Sequence, residues 1–186
     1  DWRVPPADVP NIQINIDADE LGRNYPANVA LLGDAKVTLQ RLIAALDSRP
    51  ENSERLAEVK SVVGQWDEEF DALQQSDAVP IRPERLCRDL TEVLPEDAIL
   101  VSDTGHSGIW TATMVGLNHP GQTYLRAAGS LGWAVPGAIG AKWGAPNRPV
   151  VCFTGDGGFW YHLQELETAV RHGIKPVIVV NDNHAL

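Results

Sequence analysis

Basic residues are scarce: 15 Lys and Arg stand against 25 Asp and Glu in 186 residues, a formal net charge of −10. Nucleic-acid phosphates are gripped by clustered Lys and Arg, so this balance argues against a nucleic-acid surface. Cysteine is rarer still. Cys87 and Cys152 fall in a predicted helix and a predicted strand without metal-type spacing. They read as reduced structural thiols of a cytoplasmic protein. Long hydrophobic runs are absent too. The longest, Ala134 to Trp143, is interrupted by Pro136, Gly137, Gly140 and Lys142, and falls short of the ~20 residues a membrane span requires. No signal peptide, internal repeat or low-complexity tract is visible.

What is present suffices for a buried core. Hydrophobic residues make up 44% of the chain, and its length fits one domain, or one domain and a fragment. The opening Asp1-Trp2-Arg3 without an initiator Met, and an end at Leu186 just past an apolar strand, read as an internal segment of a longer polypeptide. From Asn11 to Asp17 apolar and polar residues alternate, placing Ile12, Ile14 and Ile16 on one face of a half-buried strand. Partners for that strand are not evident within the segment. After Asp34, a candidate N-cap, Val37, Leu39, Leu42, Ile43 and Leu46 recur at helical spacing. Residues 1–48 therefore read as the tail of an α/β domain. Residues 49–80 are charged and polar around a helical stripe that includes Leu56, Val59, Val63, Trp66, Phe70 and Leu73. They predict a connecting helix.

The remainder, residues 81–186, alternates between strand and helix. Pro83 suits the first turn of a helix that Pro95 closes. Strands are expected at 98–102, 123–125, 150–153 and 176–180, with helices at 107–115, 134–143 and 163–171. This order predicts an α/β fold: a doubly wound parallel sheet with helices on both faces. Val150-Val151-Cys152-Phe153 and Val177-Ile178-Val179-Val180 are continuously apolar, as central parallel strands are.

Ligands of such sheets bind beyond the carboxyl ends of the strands. Three of those ends are rich in glycine and small polar residues: Ser102 to Gly108, Thr154 to Gly158 and Asn181 to His184. Gly155-Asp156-Gly157-Gly158 sets one carboxylate among glycines that let a ligand approach the backbone, and leads towards a helix whose N-terminus favours anions. That pairing suits a metal-bridged phosphate, because magnesium is usually held by one or two protein groups with phosphate oxygens and water completing its shell. A lone Gly-Asp-Gly is commonly a mere turn. Here Asn183 follows Asp156 by 27 residues. One helix and one strand fit between them, which brings both side chains to the same sheet edge.

This spacing resembles the signature of thiamine-diphosphate enzymes, and the likeness extends along the chain to the acetolactate synthase group of 2-oxo-acid decarboxylases and carboligases. Ile14-Asn-Ile-Asp-Ala-Asp-Glu-Leu-Gly-Arg-Asn-Tyr-Pro26 and Leu31-Leu-Gly-Asp-Ala-Lys36 look like the close of that family's central domain. Gly129-Ser-Leu-Gly-Trp-Ala-Val-Pro-Gly-Ala-Ile-Gly-Ala-Lys142 resembles the segment that cradles the middle of the cofactor. The fold so implied is the diphosphate-binding domain, truncated at its C-terminus. The resemblance puts the metal ligands on the side chains of Asp156 and Asn183 and the main-chain carbonyl of Ala185. It assigns diphosphate contacts to His106, Ser107, Gly157 and Gly158. Leu131 becomes the apolar residue that bends the cofactor, and the Gly129 carbonyl becomes the acceptor for its pyrimidine amino group. The cofactors implied are thiamine diphosphate and Mg²⁺; FAD has no support in this segment. No catalytic residue is expected here, because the activating glutamate belongs to a pyrimidine-binding domain on a second subunit of a homodimer or homotetramer. The substrate implied is a 2-oxo acid such as pyruvate. Two departures stand out. Asp182 precedes Asn183 where Asn-Asn is expected, adding a carboxylate near the ion. Leu131 stands where acetolactate synthases usually carry Met, as in simple decarboxylases.

Other readings stay open on the residues themselves. His106 is either an ordinary loop histidine or a diphosphate contact, and His184 is either solvated or turned towards substrate. Trp110, Trp133 and Trp143 suit core packing, whereas Trp160 lies close enough to the Gly158 turn to sit under the metal. Asp17 and Asp19 suit turn capping better than a metal pair.

Overall fold

The computed structural model describes residues 6, 8–47 and 52–184, and the chain divides into two compact units, residues 1–57 and 58–186. In the first unit, β1 (Ile12–Asn15) pairs in parallel with β2 (Val29–Leu32), Ile12 opposite Val29 and Asn15 opposite Leu32. The partner of the alternating strand therefore lies within the segment, contrary to the sequence reading. Four apolar residues in a row carry no period that separates strand from helix. The pairing is organised instead by polar side chains. The Asn11 backbone N–H donates to Asn28 Oδ1 at 2.9 Å, and Gln13 Nε2 donates to the Tyr25 carbonyl at 2.9 Å while its Oε1 accepts from Gly22 N at 2.7 Å. Asp17 accepts the Asp19 N–H at 2.9 Å and caps a single 3₁₀ turn, as the capping reading expected. Asp34 caps α1 (Ala35–Ala45) through the Val37 N–H at 2.9 Å. A helix does lie in residues 49–80: α2 (Ser53–Gln74), most of which belongs to the second unit, has its Trp66 and Phe70 rings 4.4 Å apart.

The second unit carries the sheet that positions the site. Its elements are α3 (Pro83–Val93), β3 (Ile99–Ser102), α4 (His106–Met114), β4 (Thr123–Arg126), α5 (Ala134–Gly144), β5 (Val150–Gly155), α6 (Asp156–Tyr161), α7 (Glu165–Arg171) and β6 (Val177–Asn181). All four strands are parallel, in the order β4-β3-β5-β6. Successive residues of the central strands face opposite sides. Ile99, Val101, Val150 and Cys152 pack with α5 and Ala169 of α7 in one core. Leu100 and Phe153 pack with Leu90, Leu94 and Trp110 in the other. Each fully buried side chain of this size contributes about 1.5–3 kcal/mol through burial. Thr111 of α4 ties that helix to the sheet, with its Oγ1 2.6 Å from Ser102 Oγ and 3.0 Å from Tyr124 Oη.

Three expectations change. β6, although continuously apolar, stands at the edge of the sheet among the described residues, leaving Val177 exposed. The helix expected over 163–171 is present as α7, but a separate helix that was not expected, α6, precedes it, starting at Asp156 and ending before His162. A glycine pair reads locally as a turn, which hides a helix that is held by its neighbours. Trp143 and Trp160 are exposed and not core, whereas Trp133 packs on the first core and Trp110 on the second. Cys87 and Cys152 are both free and buried, as expected. Among the described residues no helix is long and apolar enough to cross a membrane.

Candidate functional site

β4 and β5 flank β3 on opposite sides. The loops that leave β3 and β5 therefore turn away from one another and open a crevice at the carboxyl edge of the sheet. A cavity of about 330 Å³ fills that crevice. Its walls are Thr104 to Ser107 after β3, Leu131 after β4, Gly155 to Gly158 after β5, and Asn181 and Asn183 at the end of β6, with Trp110 and Tyr161 closing the sides. A larger cavity, about 520 Å³, lies at Lys142, Trp143 and His172. No carboxyl end of a strand reaches it, and Lys142 Nζ is already bound to the Arg148 carbonyl at 2.7 Å.

The predicted residues converge on the crevice. His106, Ser107, Leu131, Asp156, Gly157, Gly158 and Asn183 all line it. Ser107 is buried, and a β-carbon added at Gly155 would lie 3.5 Å from its hydroxyl, so the β3 and β5 loops meet there. His106 is exposed and lies against Trp110, ring centroids 5.5 Å apart. Leu131 is 39% exposed, an apolar side chain presented at the cavity wall. Gly129 is two residues from Leu131 but is not itself in the cavity wall. Ala185 lies outside the described residues. Trp160 does not reach the cavity; Tyr161 does.

Sequence reasoning missed the residue at the centre of this arrangement. Asp103, 1% exposed, follows β3 directly. Its Oδ1 accepts from Thr104 N at 2.7 Å and Gly132 N at 2.9 Å, and its Oδ2 accepts from Thr154 Oγ1 at 2.9 Å. A carboxylate placed straight after an apolar strand was the available signal, since a buried acid must find donors. Gly158 packs against it so closely that an added β-carbon would stand 2.7 Å from Asp103 Oδ2 and 2.9 Å from Thr154 Oγ1. Gly132, at φ +84°, is held to glycine on a second count as well: its added β-carbon would meet Tyr161 Cβ at 2.6 Å.

Between the lining residues Asn181 and Asn183, Asp182 bonds to its neighbours. The His184 backbone N–H, donated to Asp182 Oδ1 at 2.8 Å, is the main reason its carboxyl is held below the ordinary range. Desolvation acts the other way, and the Asp156 side chain and the charge of His184 add smaller lowering effects. His184 Nδ1 is 3.2 Å from Asp182 Oδ1, so this histidine turns to the acid.

Residues 103–186 match the family described as thiamine pyrophosphate enzyme, C-terminal TPP binding domain. The chain belongs to the thiamine-diphosphate enzymes. Its place among them is the acetolactate synthase family. It is 33% identical to a probable acetolactate synthase large subunit of Methanococcus aeolicus, over 94% of this chain and 31% of that protein. It is 31% identical to the acetolactate synthase isozyme 1 large subunit of Escherichia coli, over 94% of this chain and 30% of that protein. A putative thiamine pyrophosphate-containing protein of Bacillus subtilis is 28% identical over 97% of the chain and 32% of its own length. The chain thus spans about a third of the length of these relatives.

The residues present fit a diphosphate held through a divalent cation. Gly158 leaves no room for a side chain between the turn and Asp103, which keeps the turn's backbone tight against the loop it faces. Asp156 and Asn183 line the same crevice and present oxygen atoms of the kind a divalent cation takes. Among the described residues no three His, Cys, Asp or Glu side chains come together as a metal cluster. Asp156 and Asn183 would therefore rely on phosphate oxygens and water to complete a shell, which is how magnesium is usually bound.

Proposed function

We propose that the protein containing this segment uses thiamine diphosphate and Mg²⁺ to decarboxylate a 2-oxo acid such as pyruvate and to ligate the product to a second carbonyl, as acetolactate synthases do. The observation that carries this reading is the crevice itself: Asp156, Gly157, Gly158 and Asn183 line one cavity with Ser107 and Leu131. When bound, the cofactor supplies the electron sink that lets a 2-oxo acid lose carbon dioxide.

The chain's own residues bind and orient. Asp156 and Asn183, with the Ala185 carbonyl, hold Mg²⁺, and Gly157 and Gly158 offer backbone N–H groups to the diphosphate. Ser107 and His106 meet that group from the other loop. Leu131 supports the bend that brings the two rings together, and the Gly129 carbonyl receives the pyrimidine amino group. Holding reacting atoms at contact distance is worth up to about 7 kcal/mol or more of barrier. The activating glutamate comes from a second subunit, so a homodimer or homotetramer is the working unit, in a cytoplasmic setting that suits two buried free thiols. FAD has no residue assigned to it here.

Leu131 in place of Met supports a second reading, a decarboxylase that releases an aldehyde without ligation. Product analysis by NMR on the full-length protein with pyruvate, Mg²⁺ and thiamine diphosphate separates the two. Acetolactate supports the ligase, and acetaldehyde alone supports the decarboxylase. Neither product, with the cofactor bound, leaves a binding protein without turnover.

A further inference from the structure

We propose that Asp103 is a positioning residue for the cofactor, setting the Leu131 loop and the Gly158 turn in register through one buried carboxylate; the inference rests on the thiamine-diphosphate reading above. Removing a carboxylate from water costs several kcal/mol unless donors replace the lost hydration. Its three donors come from three segments: Thr104 from its own loop, Gly132 from the loop after β4, and Thr154 from the end of β5. None of these donors is charged, so their geometry does the compensating. Leu131 is covalently next to the Gly132 amide that Asp103 holds. The other backbone bonds of that loop, Gly129 N to the Ala127 carbonyl at 2.9 Å and Trp133 N to the Ser130 carbonyl at 3.4 Å, are internal to it and fix nothing relative to β3 or β5. Gly158 seals the opposite side of the same carboxylate. One group thus registers the apolar support of the ring system against the turn that meets the diphosphate.

The test uses the full-length protein saturated with thiamine diphosphate and Mg²⁺, with occupancy set by calorimetry. The readout is hydrogen–deuterium exchange at the thiazolium C2 of the bound cofactor, followed by NMR after acid quench. Asp103→Ala lowers that exchange rate at least about tenfold at full occupancy, since displacements near 1 Å cost up to about 100-fold. Asp103→Asn stays within about threefold, because its amide oxygen accepts both N–H groups and Thr154 Oγ1 already has the Gly155 carbonyl 3.2 Å away as another acceptor. Asp103→Ser, small and polar, carries the alanine expectation if the alanine variant does not fold. In the wild-type protein without cofactor, the Gly132 amide is protected from solvent exchange. Wild-type C2 exchange in the alanine or serine variant at full occupancy, or an unprotected Gly132 amide, overturns the proposal. If the wild-type protein takes up no thiamine diphosphate, it is the functional reading that fails, and the amide result stands apart from it.

Discussion

The two sheets of this chain are assembled by the same rule, parallel strands in register, and differ in what they bury. Strands β1 and β2 carry no fully buried residue, and Ile12 is 57% exposed. In the second sheet Leu100, Val101, Cys152 and Phe153 are sealed on both faces. The first sheet is held in register by Asn11, Gln13 and Asn28, whereas the second is held by two apolar cores, with polar contacts reserved for the strand ends where the crevice opens. Stability and site therefore reside in the same unit, and the glycine turns can be tight because the strands beneath them are fixed.

The contrast is broken most readily at Phe153. Phe153→Ala, which empties a fully buried position, lowers unfolding free energy by about 3–5 kcal/mol, whereas Ile12→Ala changes it by under about 0.5 kcal/mol. Denaturant unfolding of both variants measures this. Equal losses would dissolve the distinction between the sheets. Gly158→Ala is next: its methyl group must displace Asp103 or Thr154, and an overpacked site costs about 1–3 kcal/mol. Thermal unfolding reads that loss, and cofactor affinity falls with it. The smallest effect concerns the thiols. Burial pushes Cys87 and Cys152 up to about 12 from 9.0, with Glu84 and Asp103 respectively adding to the effect. Both thiols are protonated more tightly in the folded state, so their contribution is fully present below pH 9 and is lost as pH rises from about 9 towards 12. Thiol reagents at pH 8 should leave both untouched in the folded protein and label both after unfolding.

Much of this was legible in the sequence because period and glycine placement report directly on backbone geometry. The apolar runs at Val150 and Val177 located two strands, and Asp156 and Asn183 located the crevice, although two helices, α6 and α7, stand before β6 where one was expected. The partner of β1 escaped because side-chain amides distant in sequence, not periodicity, set its register. Helix α6 escaped because two glycines mask a helix whose position is set by the sheet. Asp103 escaped because its place after an apolar strand shows only that it needs donors, and two of those donors lie 29 and 51 residues away. That Asp156 and Asn183 would meet follows from where β5 and β6 end, with Gly155 opposite Asn181.

Calorimetric titration of the full-length protein with thiamine diphosphate, with and without Mg²⁺, tests the central claim most directly. The account predicts magnesium-dependent binding in the wild-type protein, weakened at least about 100-fold by Asp156→Ala and by Asn183→Ala, since each removes a charged or polar ligand of the ion. Binding that persists unchanged in both variants would contradict it.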